Sequence, residues 1–383
     1  MEQLVQGASV SALVDSIAQA DPAIPLDVDR QMVEAFAAAV LRRVGARRGD
    51  ASVTGKTLVL ADVRGHPSHG LSRLGRYVDL LAAGALDGEA RHVVRTRRSA
   101  LETWDAQHGL GPAVGHRAMA RAISKARRSG LAAVTVRDGG HFGIAGSYVA
   151  DALAAGMIGI AACNADPQVR PTGAAVKGTG TNPIAVGAPD GRGRGILLDM
   201  ATSTVALGKI EVARKAGKSI PRGWSVTADG ADTTDPDEAL AGALLPLGGR
   251  AATSGYKGFG LAQAVEILTS VLGGGIIGTG VSMMNDATRP ASTSQFHLAI
   301  DPAAVGEPTV FFERVSAYVD QLKSLPREAG VDEILVAGEK EWRAEERQAE
   351  RVGLLPEVLL ELAAMAEERG ATRAWRPVLR SLA

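Results

Sequence analysis

The sequence predicts an α/β protein in which a helical layer built from both chain ends surrounds a central α/β domain. Three observations predict it. The first 85 residues carry helix signals, residues from about 90 to 305 alternate short β-rich runs with helices, and the tail from about 310 is helical and charged. The expected division is 1–85, 86–305 and 306–383, with the last part returning to the first.

The first twenty residues are weakly committed. At Pro25 a helix signal begins, with Asp27 and Asp29 available for the cap and first turn and with Val33, Phe36, Ala37 and Val40 at helical spacing. A second helix opens near Pro67, carries Leu71, Leu74, Val78 and Leu81 on one face, and stops at Gly84. His116 to Arg128 is helical and ends at Gly130, and LAAVTVR (131–137) is a β-rich run. A glycine turn around His141 then leads into a helix at about 144–155 and the run MIGIAAC (157–163), the shape of a parallel crossover unit. NPIAVGAP and GILLDMA flank the turn-like Asp190-Gly191. GFGLAQAVEILTSVLGG (258–274) reads as a buried helix, and Pro356 opens a last helix through Val358, Leu362 and Met365.

Composition narrows the function. Lys+Arg and Asp+Glu both number 42, so no net field exists to draw a polyanion, and nucleic acid is excluded as the main partner. Hydrophobic residues at 46% and charged residues at 22% exclude wholesale disorder. A single Cys supports neither an intrachain disulfide nor a Cys-based metal site, and no metal is expected. No apolar run is long enough to span a membrane, and MEQLVQGASV lacks the basic-then-apolar pattern of a signal peptide; a cytoplasmic protein without a membrane partner is expected.

Familiar nucleotide and hydrolase motifs fail. GDASVTGKT (49–57) has its first glycine one residue too far from Gly55-Lys56-Thr57, with no apolar strand before it. GLGPAVG (109–115) follows a poor buried strand and reads as an ordinary helix start. Ser254 and Lys257 form an S-x-x-K whose companion elements are absent. Two other segments carry more chemistry. In ADVRGHPSHGLSRLGRY (61–77), His69 and Arg73 stand four apart, with Ser68 at the helix start. Arg suits bidentate carboxylate recognition, while Ser and His can hydrogen-bond a keto or imino group; the same residues also suit a solvated helix start that Ser68 caps. In RDGGHFGIAG (137–146), His141 sits in a glycine turn after a β-rich run, where ligands collect in open α/β sheets, or is a half-buried His bonded to backbone. Lys257 and Lys209 suit anionic groups or plain surface, and Cys163 ends a buried-looking strand.

Taken together, ADVRGHPSHGLSR, VRDGGHFGIAGSY, GMIGIAACNADPQVRPTG, GTNPIAVGAP, LLDMATSTVALGKI, IPRGW, TTDP, LLPLGG and GYKGFGLA occur in the order and spacing of one family. They cover most of residues 60–275, and the chain resembles the malate/L-lactate dehydrogenase family that lacks a Rossmann fold. That family includes ureidoglycolate and sulfolactate dehydrogenases and Δ1-piperideine-2-carboxylate reductase. The resemblance implies a central mixed-sheet NAD(P)-binding domain of non-Rossmann type. It further implies an oxidoreductase that uses NADH or NADPH to transfer hydride at C2 of a 2-oxo/2-hydroxy acid or cyclic 2-imino acid. A small carboxylate-bearing substrate and a homodimer follow from the same resemblance.

Residue by residue, the resemblance makes His141 the proton donor/acceptor and sets Ser68, His69 and Arg73 around the substrate's carboxylate and neighbouring polar atoms. It sets Asn164, Asp199, Met200, Ala201 and Lys257 against the cofactor, with Asn182 in a motif of cofactor-site or structural role. Asp166 is a candidate to orient His141. The chain departs from the family pattern at Asp138-Gly139-Gly140, at Ala165 in place of a common serine, at Ala174, and at Ser294 in place of a common glycine. Ala165 and Ser294 support one rival reading, a non-catalytic binding or scaffold protein that retains the fold with weakened cofactor binding.

Overall fold

Asp29 shows how local signals and tertiary pairing share the N-terminal region in the computed structural model, which describes residues 10–215 and 217–382. Its carboxylate caps the helix Arg30–Arg43 by accepting from the Met32 N–H at 2.9 Å. The residues before it do not begin that helix, however. Leu26–Asp29 form a strand, β1, paired antiparallel with residues 351–354 of the far end of the chain. Most of MEQLVQGASV lies outside the described residues. Val10–Ala18 is a helix that buries Leu13 and Ile17, so the start of the chain is more committed than its sequence suggests.

The helical layer takes in both chain ends, as expected. One apolar cluster joins Leu13, Phe36, Leu58, Leu74 and Tyr77 to Leu359, Leu362, Trp375 and Leu379. The helix Arg48–Val63, which contains the rejected GDASVTGKT, was hidden by its buried Asp50, Thr54, Thr57 and Asp62. The helix Pro356–Glu368 is not the last, because Thr372–Arg380 follows and seats Trp375 against Phe36 at 4.8 Å between ring centroids.

A seven-stranded mixed sheet forms the centre. Its strands are β2 (Val93–Arg97), β3 (Leu101–Asp105), β4 (Leu131–Gly139), β5 (Ile158–Cys163), β6 (Ile184–Ala188), β7 (Ile196–Met200) and β10 (Thr293–Ile300); β8 (Ser225–Val226) and β9 (Ala243–Leu244) form a separate small pair, and β11 (Arg351–Leu354) pairs with β1. The order is β2-β3-β4-β10-β5-β6-β7, parallel only between β3 and β4. The expected crossover from β4 through the helix Ala145–Ala154 to β5 exists, yet the two strands do not touch. β10 lies between them, antiparallel to both, with His297 opposite Val134 on one side and Ala161 on the other.

β10 alternates as a strand buried on both faces must. Its Ala299 joins the cluster under the helices Gly111–Ser129 and Ala145–Ala154, while Phe296 faces Val265 and Ala162 on the opposite side. The helix Gly255–Glu266 continues as a wider π turn through Ile267–Val271. It is only half buried: Ile267 and Val271 are 57% and 58% exposed, and Leu272, Ile276 and Ile277 are exposed beside them. Among the described residues no helix is long and apolar enough to cross a membrane.

Candidate active site

A cavity of about 630 Å³ opens at the strand ends in the middle of the sheet. Its walls are the ends of β4 and β5 and the starts of β6 and β10, with His69 of the helical layer on the facing side. Parallel strands end there, as the sequence reading required for His141.

Close backbone packing places His141. Gly140 donates its N–H to Gly109 at 2.9 Å, and Thr293 donates its hydroxyl to the carbonyls of Gly139 and Gly140 at 2.9 and 2.6 Å. A Cβ on Gly111 would collide with the carbonyl oxygens of Gly140 and His141, so only glycine lets that helix start approach. Just before the turn, Asp138 holds a positive φ of 53°, a conformation that Asn and Asp tolerate better than most residues.

The segment bearing Ser68, His69 and Arg73 is not an α-helix. It is two short 3₁₀ turns, Pro67–His69 and Leu71–Arg73, broken at an extended Gly70; the α-helix starts at Leu74. The break has a cause. The buried Asp62 carboxylate accepts from the Leu71 N–H at 2.8 Å and lies where a Cβ on Gly70 would be. Ser68 does not cap; its Oγ meets His69 Nδ1 at 2.9 Å. Arg73 donates from Nε to the Ser68 carbonyl at 2.7 Å and from Nη2 to Glu211 at 3.1 Å, so its guanidinium already holds a carboxylate.

The two imidazoles come together. His69 and His141 stack with centroids 5.7 Å apart and planes 24° from parallel. Burial, then the positive charges of Arg73 and His66, hold His69 down at about 4. Burial again, with His69 and Arg73 adding to it, holds His141 well below the ordinary imidazole range. Both are therefore neutral at pH 7, and Arg73 stands near enough for its charge to act on each. The Tyr77 hydroxyl lies 2.8 Å from His141 Nδ1, while Asp166 lines the cavity and accepts from Gln168 instead. Tyr77 was missed, although 69, 73 and 77 share one spacing of four. Met283, Asp286 and Arg289, also in the cavity wall, carried no motif signal.

Asn164 and Asn182 are fully buried, and their amides tie the walls together. Asn164 accepts from the Ser294 N–H at 2.7 Å and donates to Ser270 at 2.6 Å; Asn182 accepts from the Ala165 N–H at 3.0 Å and donates to Glu266 at 2.9 Å. Asp199 lines a second cavity of about 590 Å³ with Arg64, His66, Leu197, Gly338 and Trp342. Burial pushes its carboxyl above the usual range, although the Gly146 N–H bonds it at 2.7 Å. Met200 and Ala201 follow it, half buried, while Lys257 and Lys209 are exposed and line neither cavity. His69 lines the first cavity and His66 the second, while Gly143 lines the first and Gly146 bonds Asp199 of the second.

Residues 28–363 match the malate/L-lactate dehydrogenase family. The chain belongs to that family. It is 38% identical over 315 residues to a malate dehydrogenase of Pyrococcus horikoshii, covering 82% of this chain and 87% of that one. It is 39% identical over 272 residues to a (2R)-3-sulfolactate dehydrogenase (NADP(+)) of Chromohalobacter salexigens, covering 70% and 79%. The solved sulfolactate dehydrogenase of Methanocaldococcus jannaschii superposes with a TM-score of 0.82 at 33% identity, covering 90% of this chain and 97% of that one. This family member is a dehydrogenase, and the scaffold reading finds no support among these relatives.

Asp62 gives the site a pH signature. Burial pushes its carboxyl up to about 8 against the opposing Leu71 hydrogen bond, from an unfolded value near 3.8. The folded protein thus holds a proton that the unfolded chain has released. This stabilisation is complete below about pH 4 and is lost as pH rises toward about 8, at up to about 1.4 kcal/mol per pH unit. Asp62→Asn keeps an acceptor for Leu71 and cannot ionise. Urea unfolding of both proteins across that range is expected to show wild type losing stability relative to the variant as pH rises; parallel curves would contradict the assignment.

Proposed function

We propose that this dehydrogenase exchanges a hydride between NAD(P) and C2 of a 2-hydroxy/2-oxo acid, with His141 carrying the proton. The observation that carries the reading is the stacked pair of neutral imidazoles, His69 and His141, in the wall of a cavity at the ends of the central strands. A neutral imidazole is the form that accepts a hydroxyl proton.

The paired cavities fit a dinucleotide. The first would take its nicotinamide end beside His141, and the second its adenosine end against Trp342 and Asp199. Gly146 supports this, because its backbone passes so close to Asp199 that a Cβ would come within 2.9 Å of the carboxylate. When bound, NAD(P) supplies the hydride acceptor or donor. The chain's own residues do the rest. As the C2–H bond gives up its hydride and the carbonyl forms, His141 takes the C2 hydroxyl proton; in reverse, its imidazolium returns it. His69, held by Ser68, hydrogen-bonds the C2 oxygen and keeps it facing His141.

Arg73 is our candidate for the substrate carboxylate. Glu211 already places a carboxylate on its guanidinium, the kind of partner the substrate would exchange for. One observation favours a second candidate: Arg289 lines the cavity and Arg73 does not. We also propose a second copy of this chain as the cover for Ile267, Val271 and Leu272, because that exposed apolar face runs directly into the segment closing the cavity.

Three outcomes test these assignments. His141→Ala is expected to lose at least about 100-fold in turnover while NADH or NADPH still quenches Trp342 fluorescence; retained turnover would remove His141 from proton transfer. In a screen of 2-hydroxy, 2-oxo and cyclic 2-imino acids, Arg73→Lys is expected to raise KM more than kcat falls, since an ammonium cannot reproduce the fork. If Arg289→Lys raises KM instead, the carboxylate belongs to Arg289. Val271→Glu is expected to shift sedimentation from dimer to monomer, and a monomeric wild type would remove the second copy.

A further inference from the structure

Tyr77 closes the segment 61–77 and was given no role above, yet its hydroxyl meets the Nδ1 side of the His141 ring. Its ring is fully buried in the helical layer, and its hydroxyl makes two contacts with the same residue: 2.8 Å to His141 Nδ1 and 3.2 Å to the His141 carbonyl oxygen. A phenol has one hydrogen to give. A carbonyl oxygen can only accept, whereas Nδ1 donates or accepts according to the tautomer.

The carbonyl decides between the two arrangements. Gly111 packs directly against it, and among the described residues Tyr77 is the hydrogen-bond donor that reaches it. A buried carbonyl left without a donor is costly, by about 1–3 kcal/mol in typical cases. The phenol hydrogen therefore goes to the carbonyl, and the phenol oxygen is left to accept from Nδ1–H. Both contacts then become hydrogen bonds, which the opposite arrangement cannot achieve.

We infer that Tyr77 is a positioning residue that locks His141 in its Nδ1–H tautomer, leaving Nε2 as the basic nitrogen for the substrate. The inference rests on the reading of His141 as the proton carrier, and it adds which nitrogen works and what chooses it. His141 Nε2 has no hydrogen-bond partner among the described residues, while the residue itself lines the cavity. Burial keeps the imidazole neutral, so its one hydrogen can sit on either nitrogen and the choice matters.

The arrangement serves both protonation states. When Nε2 takes the C2 hydroxyl proton, Nδ1–H continues to donate to Tyr77 and Tyr77 continues to donate to the carbonyl. No hydrogen bond has to be remade during the step, as preorganised catalysis requires. Without the phenol oxygen the imidazole would drift toward Nε2–H, the tautomer that free imidazoles favour in water. A donor would then face the substrate hydroxyl where an acceptor is needed.

Tyr77→Phe tests this, since it keeps the ring that fills the core. We expect kcat for oxidation of the best 2-hydroxy acid to fall at least about tenfold with KM within about twofold, and circular dichroism to match wild type. The second readout is independent of turnover: ¹⁵N NMR of histidine-labelled protein, with His141 assigned by its loss in His141→Gln. In wild type, Nε2 is expected to show the unprotonated, pyridine-type shift, and in Tyr77→Phe that signal moves toward the protonated type. A pyridine-type shift on Nδ1 in wild type would overturn the inference, as would a variant with unchanged shifts and unchanged kcat. Turnover retained by His141→Ala would sink the proton-carrier reading alone, because the tautomer measurement stands apart from it.

Discussion

Two uncharged, half-buried imidazoles, stacked across the seam between the helical layer and the sheet, are the constraint from which the rest of the site follows. An imidazolium there would be opposed by burial, by its neighbouring imidazole and by the Arg73 guanidinium. Neutral rings need their nitrogens satisfied, and each has one nitrogen held by a hydroxyl: Ser68 for His69 and Tyr77 for His141. Hydroxyls suit this task because they accept or donate as required and bring no charge that would restore the protonated state. A carboxylate in the place of Tyr77 would raise the basicity of His141 and hold it protonated at higher pH.

The seam is built from close backbone approaches, and this explains where the glycines fall. Gly70 gives its side-chain space to Asp62, Gly111 to the His141 carbonyl, and Gly208 to Ser68. Each contact joins two segments far apart in sequence or separated by a turn. The Asp62 carboxylate breaks the helix at Gly70 and turns His69 toward the sheet, while Gly208 lets the helix Leu207–Lys215 bring Glu211 onto Arg73.

How much of this was legible in the sequence depended on the range of the interaction. Asp29 as a cap, Gly130 and Gly84 as stops, and the hairpin around Asp190-Gly191 are set by local backbone preference, and they stand where expected. Leu26–Asp29 became a strand because β11, more than 300 residues away, supplies its hydrogen bonds. Residues 48–63 hid a helix because buried polar groups interrupt its apolar stripe. The reverse error occurred at 258–274, where an apolar pattern promised burial that one chain does not provide. In the site, His141, His69, Ser68 and Arg73 sit in recognisable motifs. Tyr77 was signalled only by its spacing of four from Arg73, Arg289 reaches the cavity from a segment without a motif, and Asp166, chosen for its nearness in sequence to β5, accepts from Gln168.

The position of β10 ties these features together. In an open parallel sheet, β4 and β5 would be neighbours and a cleft between their ends would be walled by two loops. Inserting an antiparallel strand brings its first residues to those same strand ends, so Thr293 can hold the Gly139 and Gly140 carbonyls while Ser294 binds Asn164. The turn that carries His141 and the loop after β5 are thereby braced by one late segment. Just before that segment, Met283, Met284, Asp286 and Arg289 line the cavity and take no part in the hydrogen bonds from Ser68 to His69 and from Tyr77 to His141. Side chains there can change without disturbing Tyr77, His141 or His69. A fold with this division can hold the arrangement of Tyr77, His141 and His69 constant while the facing wall varies, in a family whose members are named for both malate and sulfolactate.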